Sequence, residues 1–252
     1  MDKDLVQTCQ KEVNEGIRFL QQSDKIRAGK YLMEGLKCAE NILEPREKHE
    51  QLSMLALLFE MLGFYDLSLM AFQQAIELNT QLKDENLLAK DLLHIGNAIT
   101  SLGKFQKAEE IFRRALPIFL KNNSYDDLAC TLTNIGQIMA NQGRFLESVD
   151  MFKKSLEYLQ EEPFPDTEFT TRMKLIEGLG LSQLEPETVI ENAKILYSKF
   201  ENRMHSPDIK VLHKFIDEAI TKYLQKNPQL DSQTWKQREC PWLFKAKSKN
   251  LP

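Results

Sequence analysis

The sequence predicts an all-α fold of antiparallel helix hairpins arranged in series, and three observations predict it. A pattern of apolar, small and turn-forming residues returns every 40 positions. Within each return the apolar residues keep helical spacing. Glycine and proline are few, 10 and 9 among 252 residues, which disfavours a turn-rich β architecture.

The register is set by Gly63, Gly103 and Gly143, each followed two residues later by an aromatic: Tyr65, Phe105, Phe145. A second aromatic column holds Phe72, Phe112 and Phe152, followed by the small residues Ala75, Ala115 and Ser155, and then Ile76, Leu116 and Leu156. Upstream, Leu52, Leu92 and Leu132 align, as do Leu55, Ile95 and Ile135, and Ala56, Gly96 and Gly136. In the middle copy Leu92, Ile95 and Ile99 make one helical stripe, Gly103 interrupts it, and Phe105, Ala108, Phe112, Ala115 and Leu116 resume it. That is a helix hairpin. The glycine supplies the left-handed backbone a helix end commonly needs, so a β-branched residue there costs on the order of 1 kcal/mol or more. Gly96, Ala108 and Ala115 mark a close approach of two helices, and enlarging Ala115 to Leu overpacks that seam by roughly 1 to 3 kcal/mol.

Residues 1–50 read as a degenerate N-terminal hairpin. Gly16, Ala28, Leu32, Gly35 and Leu36 keep the columns, and Ser23 stands in for the turn glycine. Residues 51–170 are the three clear repeats. Ser124-Tyr125-Asp126-Asp127 and Asp166-Thr167-Glu168 are start signals for the first helices of the third and last copies. Residues 171–227 hold a degenerate repeat and a capping helix: Leu175 is in register, and Ser182-Gln183-Leu184-Glu185-Pro186 replaces the usual turn. Ser206-Pro207-Asp208 predicts an N-cap with proline at the first helical position, opening a helix to about Lys226. Its polar face, Lys210, Lys214, Asp217, Glu218 and Lys222, suits the wet end of a stack. Residues 228–252 form a tail with little helical periodicity, in which Trp235, Trp242, Leu243 and Phe244 lie among lysines and Arg238. It is expected to fold back and cover the last helices with its tryptophans; an exposed linear motif, a basic patch for an acidic partner, and a membrane contact are the alternatives. About eleven helices are expected in all.

Small, glycine and aromatic residues in this order resemble the tetratricopeptide repeat, in an elongated form, over residues 51 to 170. Two departures stand out. Leu52, Leu92 and Leu132 occupy the usual first-helix aromatic position, and the proline that ends the usual repeat is absent, so the second helix can run longer. Leu132 to Gln137 and Ile95 to Ala98 are similar to the Leu-Gly-Asn-rich spindle-orientation adaptor subgroup.

The resemblance implies a right-handed superhelical solenoid with a C-terminal capping helix. Its concave groove would be lined by the first helix of each hairpin. It implies a non-catalytic adaptor that holds an extended peptide or a helix of a partner protein in that groove. Carried over residue by residue, the groove takes Met54, Leu57 and Met61 from the first clear copy, and Lys90, His94, Asn97 and Ser101 from the second. The third supplies Asn134, Gln137 and Asn141, and the degenerate end supplies Lys174. Ser53, Glu60, Leu93, Thr100, Thr133, Met173 and Glu177 accompany them. Side-chain amides both donate to and accept from the backbone of an extended chain. The carboxylate clamp of chaperone-type members is only partly present: Asn97 and Asn134 hold its asparagine positions, Leu93 replaces a lysine, and Thr170 and Lys174 stand at the third.

Other classes are disfavoured by composition. With 33 basic and 37 acidic residues the formal charge is -4, so no nucleic-acid partner is expected. The longest apolar stretch, Met54 to Tyr65, is interrupted by Glu60 and falls short of the roughly 20 residues a bilayer needs, so no membrane partner is expected either. Met1-Asp2-Lys3-Asp4 is charged and no apolar run follows, so no secretory signal is expected. Cys9, Cys38, Cys130 and Cys240 are scattered and form no C-x-x-C pair; free thiols, a reducing cytosol and a cytoplasmic location follow. The Asn122-Asn123-Ser124 sequon is then expected to stay unmodified. His49, His94, His205 and His213 lie on different repeats without metal-ligand spacing. No G-x-S-x-G is present, and Ala28-Gly29-Lys30 lacks the earlier glycine of a phosphate loop. No cofactor, metal or enzyme activity is therefore expected. The alternative to an adaptor is a structural subunit of a cytoskeletal, ciliary or spindle-type complex, using the convex surface and the C-terminal tail.

Overall fold

Helices start at Lys25, Pro45, Tyr65, Glu85, Phe105, Tyr125, Phe145 and Pro165, a beat of 20 residues that makes both helices of each 40-residue hairpin nearly equal in length. The computed structural model describes residues 2–161, 164–182, 186–200, 203 and 209–242. Among the described residues there are twelve helices and no strand. They form two units, residues 1–131 and 132–252, with the boundary inside α7.

The first unit contains α1 (Asp2–Gln21), α2 (Lys25–Ala39), α3 (Pro45–Leu62), α4 (Tyr65–Leu82), α5 (Glu85–Ser101), α6 (Phe105–Lys121) and the first turns of α7 (Tyr125–Asn141). Neighbouring helices pair as α1 with α2, α3 with α4 and α5 with α6. Side chains fix several starts. Asp24 accepts from the Arg27 N–H at 3.0 Å, Glu44 from Glu47 at 2.7 Å beside Pro45, and Asp84 from Leu87 at 3.2 Å. The glycine turns need no such cap. Gly63 and Gly103 sit at φ 81° and 73°, and the residue after each donates back into the helix, Phe64 to the Phe59 carbonyl and Lys104 to that of Ile99. Ser23 takes φ 60° with the same pair of bonds, so the degenerate copy keeps the turn without the glycine.

The second unit holds the remainder of α7, α8 (Phe145–Glu161), α9 (Pro165–Ser182), α10 (Pro186–Lys199), α11 (Ile209–Lys226) and α12 (Ser232–Glu239). The predicted cap at Ser206-Pro207-Asp208 and the turn residues 183–185 lie outside the described residues. The aromatic columns behave alike in both units. Phe72 and Phe112 are fully buried in the first and Phe152 in the second, each with its small partner Ala75, Ala115 or Ser155 inaccessible.

Two expectations are corrected. The tail is partly helical: α12 starts on an Asp231 cap that accepts from the Thr234 N–H at 2.8 Å. One turn carries Trp235 into the core, 8% exposed and 5.0 Å from Tyr223. Eight residues are too short for the amphipathic repeat to register, and a cap plus one buried tryptophan is what holds them. Trp242 stacks on Tyr197 at 4.1 Å, so the expected covering of the last helices by the tryptophans is met. Cysteine usage is the second correction. Cys9 of α1 and Cys38 of α2 are joined as a disulfide, while Cys130 and Cys240 stay outside any disulfide. The two cysteines are 29 residues apart in sequence, yet the hairpin brings their Cα atoms to 5.4 Å. The argument from free thiols to a reducing compartment therefore falls. No helix among the described residues is long and apolar enough to cross a membrane.

Candidate functional site on the first helices

Among the first helices, α3, α5, α7 and α9 are each buried around much of their circumference. In α5, Leu92, Leu93, Ile95, Gly96, Ala98 and Ile99 are buried, leaving His94, Asn97 and Thr100 half-exposed and Ser101 exposed. In α7 the same pattern leaves Asn134, Gln137 and Ala140 half-exposed and Asn141 exposed. In α3 it leaves Met54, Leu57 and Glu60, with Met61 71% exposed, and in α9 Met173, Lys174, Glu177 and Gly180. The predicted groove residues Met54, Leu57 and Met61, then His94, Asn97 and Ser101, and then Asn134, Gln137 and Asn141 each lie on an i, i+3, i+7 stripe of their own helix, with Lys90 continuing the α5 stripe one turn earlier; the accompanying Leu93 and Thr133 are buried instead.

The stripe differs in chemistry between the units. In the first, His94 stacks on Phe72 with ring centroids 5.6 Å apart, and burial lowers its pKa below 6.5, with Asp91 opposing and Lys90 assisting. Burial pushes the Glu60 carboxyl up. In the second, Gln137 donates to Asn141 Oδ1 at 2.9 Å, while the Gln137 oxygen is buried with no protein donor. Lys174 pairs with Glu177 at 3.3 Å. The clamp is further reduced: Leu93 is core at 5% exposure, so a lysine there would be buried. Among the described residues no group of His, Cys, Asp and Glu is placed to hold a metal ion.

Two buried polar networks went unpredicted. In the first unit Asp91, 2% exposed, accepts from His49 Nε2 at 2.9 Å, Asn79 Nδ2 at 2.6 Å and Ser53 at 3.2 Å, tying α3, α4 and α5 together. In the second, Thr133 meets Ser155 at 3.0 Å and Thr171 at 2.8 Å across α7, α8 and α9. Ser53 to Asp91 and Thr133 to Thr171 are the same contact two repeats apart. The signal was available: Gln51, Asp91, Thr131 and Thr171 form a polar column at core phase.

Residues 51–121 match the tetratricopeptide repeat family. That segment carries tetratricopeptide repeats. Its fold is similar to kinesin light chain repeats from Podosopora anserina, with a TM-score of 0.64 at 11% identity over 80% of this chain and 98% of that one. It is similar to the apo form of RapI, at 0.70 and 13% over 87% and 84%. It also resembles the Rap conjugation gene regulator of the plasmid pLS20 in complex with a Phr peptide, at 0.62 and 14% over 89% and 65%. No curated protein matches the chain.

Proposed function

We propose that this protein is an adaptor without chemistry of its own, holding an extended or helical segment of another protein along the exposed stripes of its first helices. The observation that carries this reading is the stripe each first helix leaves partly uncovered: in the first unit it holds Met54 and Met61 on α3 and Asn97 on α5, and in the second Asn134, Gln137 and Asn141 on α7. Methionines adapt to varied apolar surfaces, and amides pair with backbone in either polarity. The Phr peptide bound by a regulator of the same fold supports the class of ligand.

The tail is a poor candidate for the contact surface of a structural subunit, since Trp235 and Trp242 are used inside the second unit. Nucleic acid is disfavoured by the same stripe, whose Lys174 is neutralised by Glu177. The test is affinity purification with quantitative mass spectrometry on two double variants, Met54→Ala with Met61→Ala, and Gln137→Ala with Asn141→Ala. A control carries Lys107→Ala with Arg114→Ala on α6. The same partner should be captured by parent and control and depleted about tenfold or more by a stripe variant, a loss of about 1.4 kcal/mol. Equal capture by all four proteins rules the reading out.

A further inference from the structure

Between α9 and α11 lies a cavity of about 410 Å³ whose walls are mostly apolar: Phe169 and Met173 from α9, Leu212 and Phe215 from α11. We propose that this cavity takes a neutral aromatic side chain presented by the partner segment, a step that rests on the adaptor reading above.

The cavity is built by features particular to the last hairpin. Gly180 occupies the position held by Glu60, Thr100 and Ala140 in the other copies. A β-carbon on Gly180 would stand 2.4 Å from Phe215 Cδ1, so its absence lets the Phe215 ring lie directly on α9. The opposite wall is equally held: Phe169 packs edge-on against Phe200 at 5.3 Å, and the Arg203 guanidinium stands 5.7 Å from its ring. Two fixed phenyl rings and a thioether favour an aromatic guest through edge, face and sulfur contacts.

Charge selects a neutral guest. Lys174 and Glu177 line the cavity and pair with each other, both more than a third exposed, so the site offers no net field to a charged ligand. An apolar molecule ending in a carboxylate would meet Glu177 as well as Lys174. A peptide-borne side chain instead brings a C=O for the lysine and an N–H for the glutamate. The volume lies within the range of natural ligand sites and exceeds that of one aromatic side chain.

The test uses N-acetyl-phenylalaninamide, read by the methyl NMR signal of Met173 in the full chain. A saturable shift with a Kd on the order of 1 mM is expected, with at least about tenfold weaker binding of N-acetyl-alaninamide and of the free carboxylate N-acetyl-phenylalanine. Gly180→Ala, which drives Phe215 into the cavity, should abolish the shift. If that variant fails to fold, Thr170→Trp at an exposed lining position fills the same space. The proposal is overturned by no saturable shift, by equal binding to a folded blocking variant, or by preference for N-acetyl-leucinamide or the carboxylate. The amide probe needs no partner, so its failure sinks the cavity alone, while failed stripe variants in the capture experiment sink the adaptor reading with the cavity still occupied.

Discussion

The Phe112 ring occupies the space a side chain on Gly96 would need: a β-carbon there would stand 2.3 Å from Phe112 Cε1. The relationship recurs at the same sixteen-residue offset, Gly136 beneath Phe152 at 2.7 Å and Gly16 beneath Leu32 at 2.5 Å. Alanine usually raises helix stability over glycine by about 1 kcal/mol. Here it should lower it. Gly96→Ala is expected to destabilise by about 1–3 kcal/mol, as a drop in the denaturant midpoint with unchanged helical circular dichroism.

The turn glycines work by a different mechanism and should respond differently. Around Gly103 nothing lies within 4 Å of a built β-carbon, and φ is 73°. Gly103→Val should therefore cost about 1–2 kcal/mol through backbone strain alone, and Gly103→Asn much less, because Asn123 and Ser23 already hold positive φ in this chain. Equal thermal shifts for the two variants would refute a strain origin.

Reduction should separate the first hairpin from the rest. The Cys9–Cys38 bond closes a loop with a sequence separation of 29, for which the chain-entropy account gives about 3.6 kcal/mol. A reductant should lower the melting temperature and raise hydrogen exchange in α1 and α2. Under denaturing conditions the chain should titrate two thiols before reduction and four after. In the native protein Cys130 and Cys240 should react slowly with thiol reagents, since burial pushes both to about 11.

Acid should weaken the fold through histidine. Burial holds His94 and His213 below 6.5, with Asp91 and Asp217 opposing, so near pH 6 the unfolded chain binds more protons than the folded one. The stability is present in full above about pH 6.5 and is lost as pH falls through the lowered folded-state values. Glu60 and Asp127, raised by burial, act in the opposite sense as they ionise. The histidine contribution is isolated by comparing parent with His94→Gln: unfolding midpoints at pH 7.5 and 5.5 should differ less in the variant.

Local chemistry was legible wherever it repeats. Gly63, Gly103 and Gly143 announced the turns, Phe72, Phe112 and Phe152 the core, and the four stripes followed from their phase. What escaped was long-range or unrepeated. Cys9 meets Cys38, and His49 meets Asp91, only because hairpins fold back, and no local spacing encodes either. Trp235 lies in eight residues whose helix depends on what it packs against, so its periodicity carried no signal. The cavity beside Lys174 needed Gly180 to be seen as a departure from its column, and the meaning of that departure appears only with Phe215 lying upon it.

Hydrogen exchange on the protein bound to its captured partner tests the central claim most directly. The account predicts added protection in α3, α5, α7 and α9, at residues 54–61, 94–101, 134–141 and 173–180, with α4, α6 and α8 unchanged. Protection confined to the second helices or to α12, with those four segments unaltered, would contradict it.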